Sequence, residues 1–264
     1  MSVDIFRHAD RALMAMLNGM NREFQTLGTE IGFDEMNVLE TRQRVNAMYA
    51  RMDAMIRKEY RKVARRAYMD ASAEAGVDGG AFDADAFVAG ALRAYDSVSN
   101  FVYEREWTRK RDRLFESIIA TERGNQEMRK NLKRGLDVLA NQVRQYADNI
   151  TDKARVYAFR NAGADVLVWI TEDDERVCKV CRPRHEQFYP IELLPEYPAH
   201  WHCRCRLDWV DMEERKKRAT EARSVGEWTS SDPSGHLPQR GRLWETMKFD
   251  RGGGIDAEAL SHRR

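Results

Sequence analysis

The sequence predicts a mainly α-helical protein. Long helices occupy residues 1–148, a small α+β domain built around a cysteine cluster covers 149–212, and a flexible, extended tail covers 213–264. Three observations carry this reading. Apolar residues recur at three- and four-residue steps through the first region, the signature of helices with one buried face. Near residue 166 the pattern changes to a β-type run, VLVWIT, and all four cysteines follow it within 28 positions. Beyond about Arg223 turn formers dominate and apolar residues become sparse, so little is left to bury.

The elements follow in order. Ile5, Ala9, Leu13, Leu17, Met20 and Phe24 form a stripe over residues 4 to about 27, with Asp4 as the N-cap and Gly28 and Gly32 as the stop. A second helix is expected from just after Asp34 to about Ala75, ended by Gly76, Gly79 and Gly80. Val45, Met48, Tyr49, Met52, Ile56, Tyr60, Val63 and Ala67 share its apolar side, and Arg51, Lys58, Arg61, Lys62 and Arg65 its polar side. Such a helix is roughly 60 Å long, a length suited to a bundle or an arm. Asp83 caps a third helix over 84–98. Further helices are expected at 100–121, 125–148 and 151–161, the first two separated near Gly124 and the last ending at Gly163. Short strands are expected at 166–171, at Phe188-Tyr189 and at 205–210. The methionines at 14, 16, 20, 48, 52 and 55 read as helix core or helix–helix contacts. Trp228, Trp244 and Phe249 are unusual in a solvated tail and read equally well as anchors for a partner or as residues packed on their own domain.

Composition narrows the function classes. One third of the residues are charged, 42% are hydrophobic and the net charge is +1, so no global field favours nucleic acid or an anionic membrane. No apolar run approaches the roughly 20 residues that span a bilayer. The N-terminus lacks a signal-peptide layout, because Arg7, Asp10 and Arg11 interrupt its apolar pattern. The expectation is a soluble protein made in a reducing cytosol, where paired cysteines more often bind metal than form disulfides.

The cysteines form two close pairs, Cys178-x2-Cys181 and Cys203-x-Cys205, with His200 and His202 around the second. Two thiolates two residues apart in a tight turn make a knuckle that points at one ion. Zn²⁺ suits the set because it takes thiolate sulfur and imidazole nitrogen in a tetrahedron. There are more donors than places. Cys178, Cys181, His200 and Cys203 make one complete site, and exchanging Cys203 for Cys205 makes another. Four thiolates are sterically allowed too, since residues 203 and 205 of an extended segment face the same side. His185 is a further option and His202 reads as exposed. A closed set of four leaves no position for water, which makes the zinc structural, and a domain this small needs such a staple. Trp169, Trp201 and Trp209 would line it. The competing reading is a reduced, metal-free fold with incidental cysteines.

Residues 148–208 resemble the C-terminal module of the phage Mu F-like minor head proteins, also called phage head morphogenesis proteins. The matching elements are Trp169-Ile170-Thr171, the acidic turn Glu172-Asp173-Asp174, Cys178-x2-Cys181, Gln187-Phe188-Tyr189 and the closing run PAHWHCRC from Pro198 to Cys205. They cover about a quarter of the chain. Trp201 stands where the family usually has Pro, Glu186 where Gly is common, and an upstream Arg-Thr-Glu element survives only as Ala120-Thr121-Glu122. The resemblance implies a low-copy structural component of a tailed-phage virion head. Such a protein acts near the portal in head assembly and DNA packaging or delivery, with the portal protein or the major capsid protein as partner.

Other features carry less. Lys58, Arg61, Lys62 and Arg65 could follow the phosphates of packaged DNA, although a solvated helix face explains them better. The cluster Arg109, Lys110, Arg111 and Arg113 is diluted by Asp112, Glu104, Glu106 and Glu116. The sequence shows no His-x-Glu deaminase signature, phosphate loop, Gly-x-Ser-x-Gly elbow or His-Glu-x-x-His, so no enzyme is expected. The alternative function is a zinc-ribbon nucleic-acid-binding module.

Overall fold

A computed structural model describes residues 3–31, 37–96, 101–121, 126–172, 177–200, 203 and 205–210. Five α-helices lie among them: α1 (Val3–Ile31), α2 (Val38–Glu74), α3 (Ala84–Arg93), α4 (Tyr103–Ile119) and α5 (Gln126–Asn161). The protein is mainly helical, and a small three-stranded sheet follows the helices, as the periodicity predicts. The expected tail at 213–264, with Trp228, Trp244 and Phe249, lies outside the described residues, as do Gly32, Asp34, Gly124, Trp201 and His202.

The chain divides into two compact units. One comprises Met1–Ala67, Phe82–Asp96 and Asn100–Thr151, and the other Tyr68–Ala81, Ser97–Ser99 and Asp152–Arg264. The core of the first is a sulfur-rich and aromatic layer. Met16, Met20, Phe24 and Leu27 of α1 are buried, as are Met48, Met52, Ile56 and Tyr60 of α2 and Leu139, Val143 and Tyr146 of α5. Of the methionines read as core or helix–helix contacts, Met14 is exposed and Met55 half-buried. Tyr103 of α4 stacks on Trp107 at 5.7 Å and meets Tyr146 edge-on at 4.6 Å. The Tyr60 hydroxyl donates to the Val143 carbonyl at 2.9 Å, which satisfies a polar atom that burial would otherwise penalise.

Three helix boundaries differ from expectation. The first helix does not stop at Gly28 but continues to Ile31. A Cβ on Gly28 would lie 3.3 Å from the Leu132 Cδ1 atom, so this glycine serves close helix packing rather than a break. Residues 126–161 form not two helices but one, α5. Asn149 and Thr151 mimic a break in the sequence, yet both are buried and satisfied within the helix. Gln145 Nε2 donates to Asn149 Oδ1 at 2.8 Å, and Thr151 Oγ1 donates to the Ala147 carbonyl at 2.9 Å. The third helix ends at Arg93, short of residue 98. A two-residue hairpin, β1 (Tyr95–Asp96) with β2 (Phe101–Val102), intervenes before α4. Its N-cap is as expected, with Asp83 Oδ1 accepting from the Ala86 N–H at 2.9 Å.

The second unit holds the sheet. β3 (Val166–Ile170) is central, flanked by β4 (Gln187–Pro190) and β5 (Arg206–Trp209), both antiparallel to it. Gly163 at φ +83° closes α5, where the Ala164 N–H reaches back to the Phe159 carbonyl at 2.9 Å, a left-handed cap that turns the chain into β3. Four of the five β3 residues are buried, which explains why its sequence is a continuous apolar run rather than an alternating one. In the same unit Tyr68 lies 5.8 Å from Tyr157, and Asn161 Nδ2 donates to the Tyr68 hydroxyl at 3.1 Å.

Candidate metal centre

The first cysteine pair sits in a turn held by its own backbone. Cys178 offers its carbonyl to the N–H groups of Cys181 at 3.2 Å and Arg182 at 3.0 Å, and its sulfur accepts from the Cys181 N–H at 3.3 Å. A 3₁₀ turn (Arg182–Arg184) carrying Pro183 follows, and the chain enters β4 after Glu186. Glu186 adopts a left-handed φ of +57°, a backbone conformation that favours Gly. Its N–H donates to the Trp169 carbonyl at 2.7 Å, which ties the turn to β3.

The second pair arrives along the segment leading into β5. The Cys203 N–H donates to the His200 carbonyl at 3.2 Å, and the Cys205 carbonyl accepts from the Tyr197 hydroxyl at 2.8 Å. Cys205 directly precedes β5, so its position is fixed by the register of Trp169 opposite Leu207 and Ile170 opposite Arg206.

These elements bring all five expected donors together, in two groups of three that share Cys181. The first is Cys178, Cys181 and His200, and the second is Cys181, Cys203 and Cys205. Within each, the donor atoms lie within 4.8 Å of one another. His200 Nε2 is 3.0 Å from the Cys178 sulfur and 3.1 Å from that of Cys181, while the sulfurs of Cys181 and Cys203 are 3.7 Å apart. Cys181, Cys203 and Cys205 are buried, whereas Cys178 and His200 are half-buried. Such a set can hold a metal ion. His185 is not part of either group: its Nδ1 accepts from the Thr171 N–H at 3.2 Å and lies 3.0 Å from the Thr171 hydroxyl.

The thiols of the cluster differ in acidity. The Cys203 thiol is held well below its ordinary range, first by the hydrogen bond from Cys205, helped by backbone N–H donors, against the opposing effect of burial. Cys205, as the donor, is pushed up, and Cys181 is pushed up by burial and by the neighbouring Cys203 charge. Cys178 is lowered, because backbone and side-chain donors of Cys181 outweigh its desolvation. Left to itself the buried trio therefore favours one thiolate and resists the next. A cation at its centre removes that conflict, since metal binding deprotonates ligand thiols.

Around the cluster stands an aromatic wall. Trp169 is 0% exposed and meets Tyr197 edge-on at 5.1 Å and Tyr189 at 6.2 Å, with the Arg184 guanidinium 4.9 Å from its ring centre. Trp209 is half-buried. Sequence reasoning found Trp169 but missed Tyr197. The only signal for it was its place just ahead of the His–Cys run. It also missed Arg155, a buried cation in α5 whose partners are remote in sequence.

The basic residues of α2 are distributed differently from the donors. Arg61 pairs with Asp85 at 2.9 Å and Lys62 with Glu59 at 2.6 Å, while Lys58 and Arg65 are exposed. A cleft of about 290 Å³ between α1 and α2 is lined by Arg11, Ala12, Glu59, Lys62, Val63 and Arg66. No helix among the described residues is long and apolar enough to cross a membrane. Compared with known proteins, the chain matches no protein-family model, no curated protein and no solved structure.

Proposed function

We propose that this chain is a structural minor head protein of a tailed phage, acting near the portal during head assembly and DNA packaging or delivery. Its helices contact the portal or the major capsid protein, and zinc holds the C-terminal module as a rigid docking element. One observation carries the reading. The motif series from Trp169-Ile170-Thr171 to PAHWHCRC is the part that resembles the minor head proteins, and that same series supplies every donor of the metal-competent cluster. A donor set rich in thiolate with an imidazole beside it suits Zn²⁺, and the buried position of three of its sulfurs suits a closed, structural site. The role is mechanical, so losing the ion unfolds the module rather than abolishing turnover. Co-expression with a portal protein tests the assembly role. Co-purification of the intact chain with the portal oligomer supports it, and separate elution of the two from size exclusion refutes it.

A second reading, a zinc-ribbon module that binds nucleic acid, draws on exposed Lys58 and Arg65 and on the cleft walled by Arg11, Lys62 and Arg66. It requires affinity for duplex DNA that falls steeply with salt. A binding titration of the full chain across salt concentrations decides it, and weak binding at low salt removes it.

A further inference from the structure

The sulfurs of Cys181 and Cys203 lie 3.7 Å apart, in contact, and both side chains are buried. They come from separate stretches of chain. Cys181 belongs to the turn between β3 and β4, and Cys203 to the segment that leads into β5. A disulfide holds its sulfurs at about 2.0 Å, so the gap closes by roughly 1.7 Å, a shift within reach of side-chain rotation.

The other pairings are less well placed. Cys203 and Cys205 are separated by one residue, and a disulfide across one residue closes a small, strained ring. Cys205 shares a donor group with Cys181, but its sulfur is engaged by the Trp169 indole. The Cys178 sulfur accepts the Cys181 N–H at 3.3 Å and lies 3.0 Å from His200 Nε2. An N–H donor on a sulfur stabilises it as a departing thiolate, which suits Cys178 to leave a disulfide rather than to stay in one.

We infer that a peroxide converts Cys181 and Cys203 into an intramolecular disulfide, with Cys178 as the point of entry. Cys178 is the one thiol of the four that is not buried. Its thiolate attacks a peroxide oxygen, the O–O bond breaks, and Cys178 becomes a sulfenic acid while hydroxide leaves. The Cys181 thiolate then attacks the Cys178 sulfur and displaces a second hydroxide. Cys203 attacks the Cys181 sulfur in turn, takes over the disulfide and expels Cys178 as a thiolate. With hydrogen peroxide the balance is two thiols oxidised to one disulfide and one peroxide reduced to two waters. A bound ion is released, because two of its donors are consumed. The new bond joins the same two chain segments that the ion joins, so the module exchanges one staple for another. The pairing rests on the sulfur positions alone and stands or falls separately from the metal reading.

Peptide mapping of the full-length protein, treated as purified with hydrogen peroxide and then blocked with iodoacetamide, tests the inference without a variant. Trypsin cuts after Arg176, Lys179, Arg184, Arg204 and Arg206 but not before Pro183, so each cysteine falls in its own peptide. The expected product is peptide 180–184 joined to peptide 185–204 within one chain, and lost on reduction. A final link between 177–179 and 180–184, a link through 205–206, links between chains, or no link at all overturns the inference. Cys178→Ser should form the same link far more slowly, and formation at the wild-type rate overturns the entry role of Cys178. Zinc measured on the same samples separates the two readings. Link formation with zinc release supports both, and link formation in protein that never held zinc supports the disulfide while removing the metal.

Discussion

Arg155 in α5 reaches Glu74 at the end of α2 through two parallel hydrogen bonds, 3.1 Å from Nη1 to Oε1 and 2.9 Å from Nη2 to Oε2. The same Nη2 lies 3.4 Å from an Asp208 oxygen on β5. One buried guanidinium therefore joins two helices and the sheet within the second unit. Burial alone would lower its pKa, but the hydrogen bonds and charges of Glu74 and Asp208 prevail and raise it. Arg155→Met should destabilise the protein by about 1–3 kcal/mol, below the usual loss for a broken buried pair because both carboxylates remain partly exposed to water. Arg155→Lys should recover only part of this, since an ammonium cannot reproduce the two-pronged contact. Urea unfolding measures both.

The wall beside the cysteines makes a related prediction. Tyr197→Phe removes the hydroxyl that satisfies the Cys205 carbonyl and should cost about 1–2 kcal/mol. Trp169→Ala removes the fully buried centre of the second unit and should cost about 3–5 kcal/mol. Thermal unfolding with and without added zinc checks both. If Tyr197→Phe unfolds at the wild-type temperature, the hydrogen bond does not hold the second cysteine pair in place.

Helix continuity through Gly28 is open to direct test. A Cβ there meets only the flexible end of Leu132, so Gly28→Ala should be neutral or stabilise by up to about 1 kcal/mol through helix propensity. Gly28→Pro should destabilise by about 3 kcal/mol or more, because it cuts a helix rather than ending one. At Gly135 a Cβ would lie 3.0 Å from Leu114 Cδ1 and 3.3 Å from Phe24 Cε1. Gly135→Val should therefore cost about 1–3 kcal/mol through overpacking. Circular dichroism melts separate these outcomes.

How much of this was legible in the sequence follows from the range of each signal. The buried stripe of α2, from Val45 to Ala67, could be read residue by residue, because a helix repeats its pattern many times. β3 was legible from its apolar run, and the five donors from spacing. Asn149 and Thr151 misled because side-chain polarity resembles a helix end unless the partners Gln145 and Ala147 are seen. Gly28 misled because a glycine can end a helix or let another helix approach, and only Leu132 distinguishes the two. The Arg155–Glu74 pair spans 81 residues and leaves no local trace at all. Nor can spacing rank the five donors, since sequence separation does not set the distances between donor atoms.

Zinc content of the purified full-length chain, compared between wild type and the Cys178→Ser/Cys181→Ser variant, tests most directly the claim that one ion unites the two cysteine pairs. Cys181 belongs to both donor groups, so its loss should empty the centre. The account predicts one zinc per wild-type chain and none in the variant, with loss of protection from hydrogen exchange across β3, β4 and β5. Equal zinc in the two proteins, or a sheet equally protected in both, would contradict it.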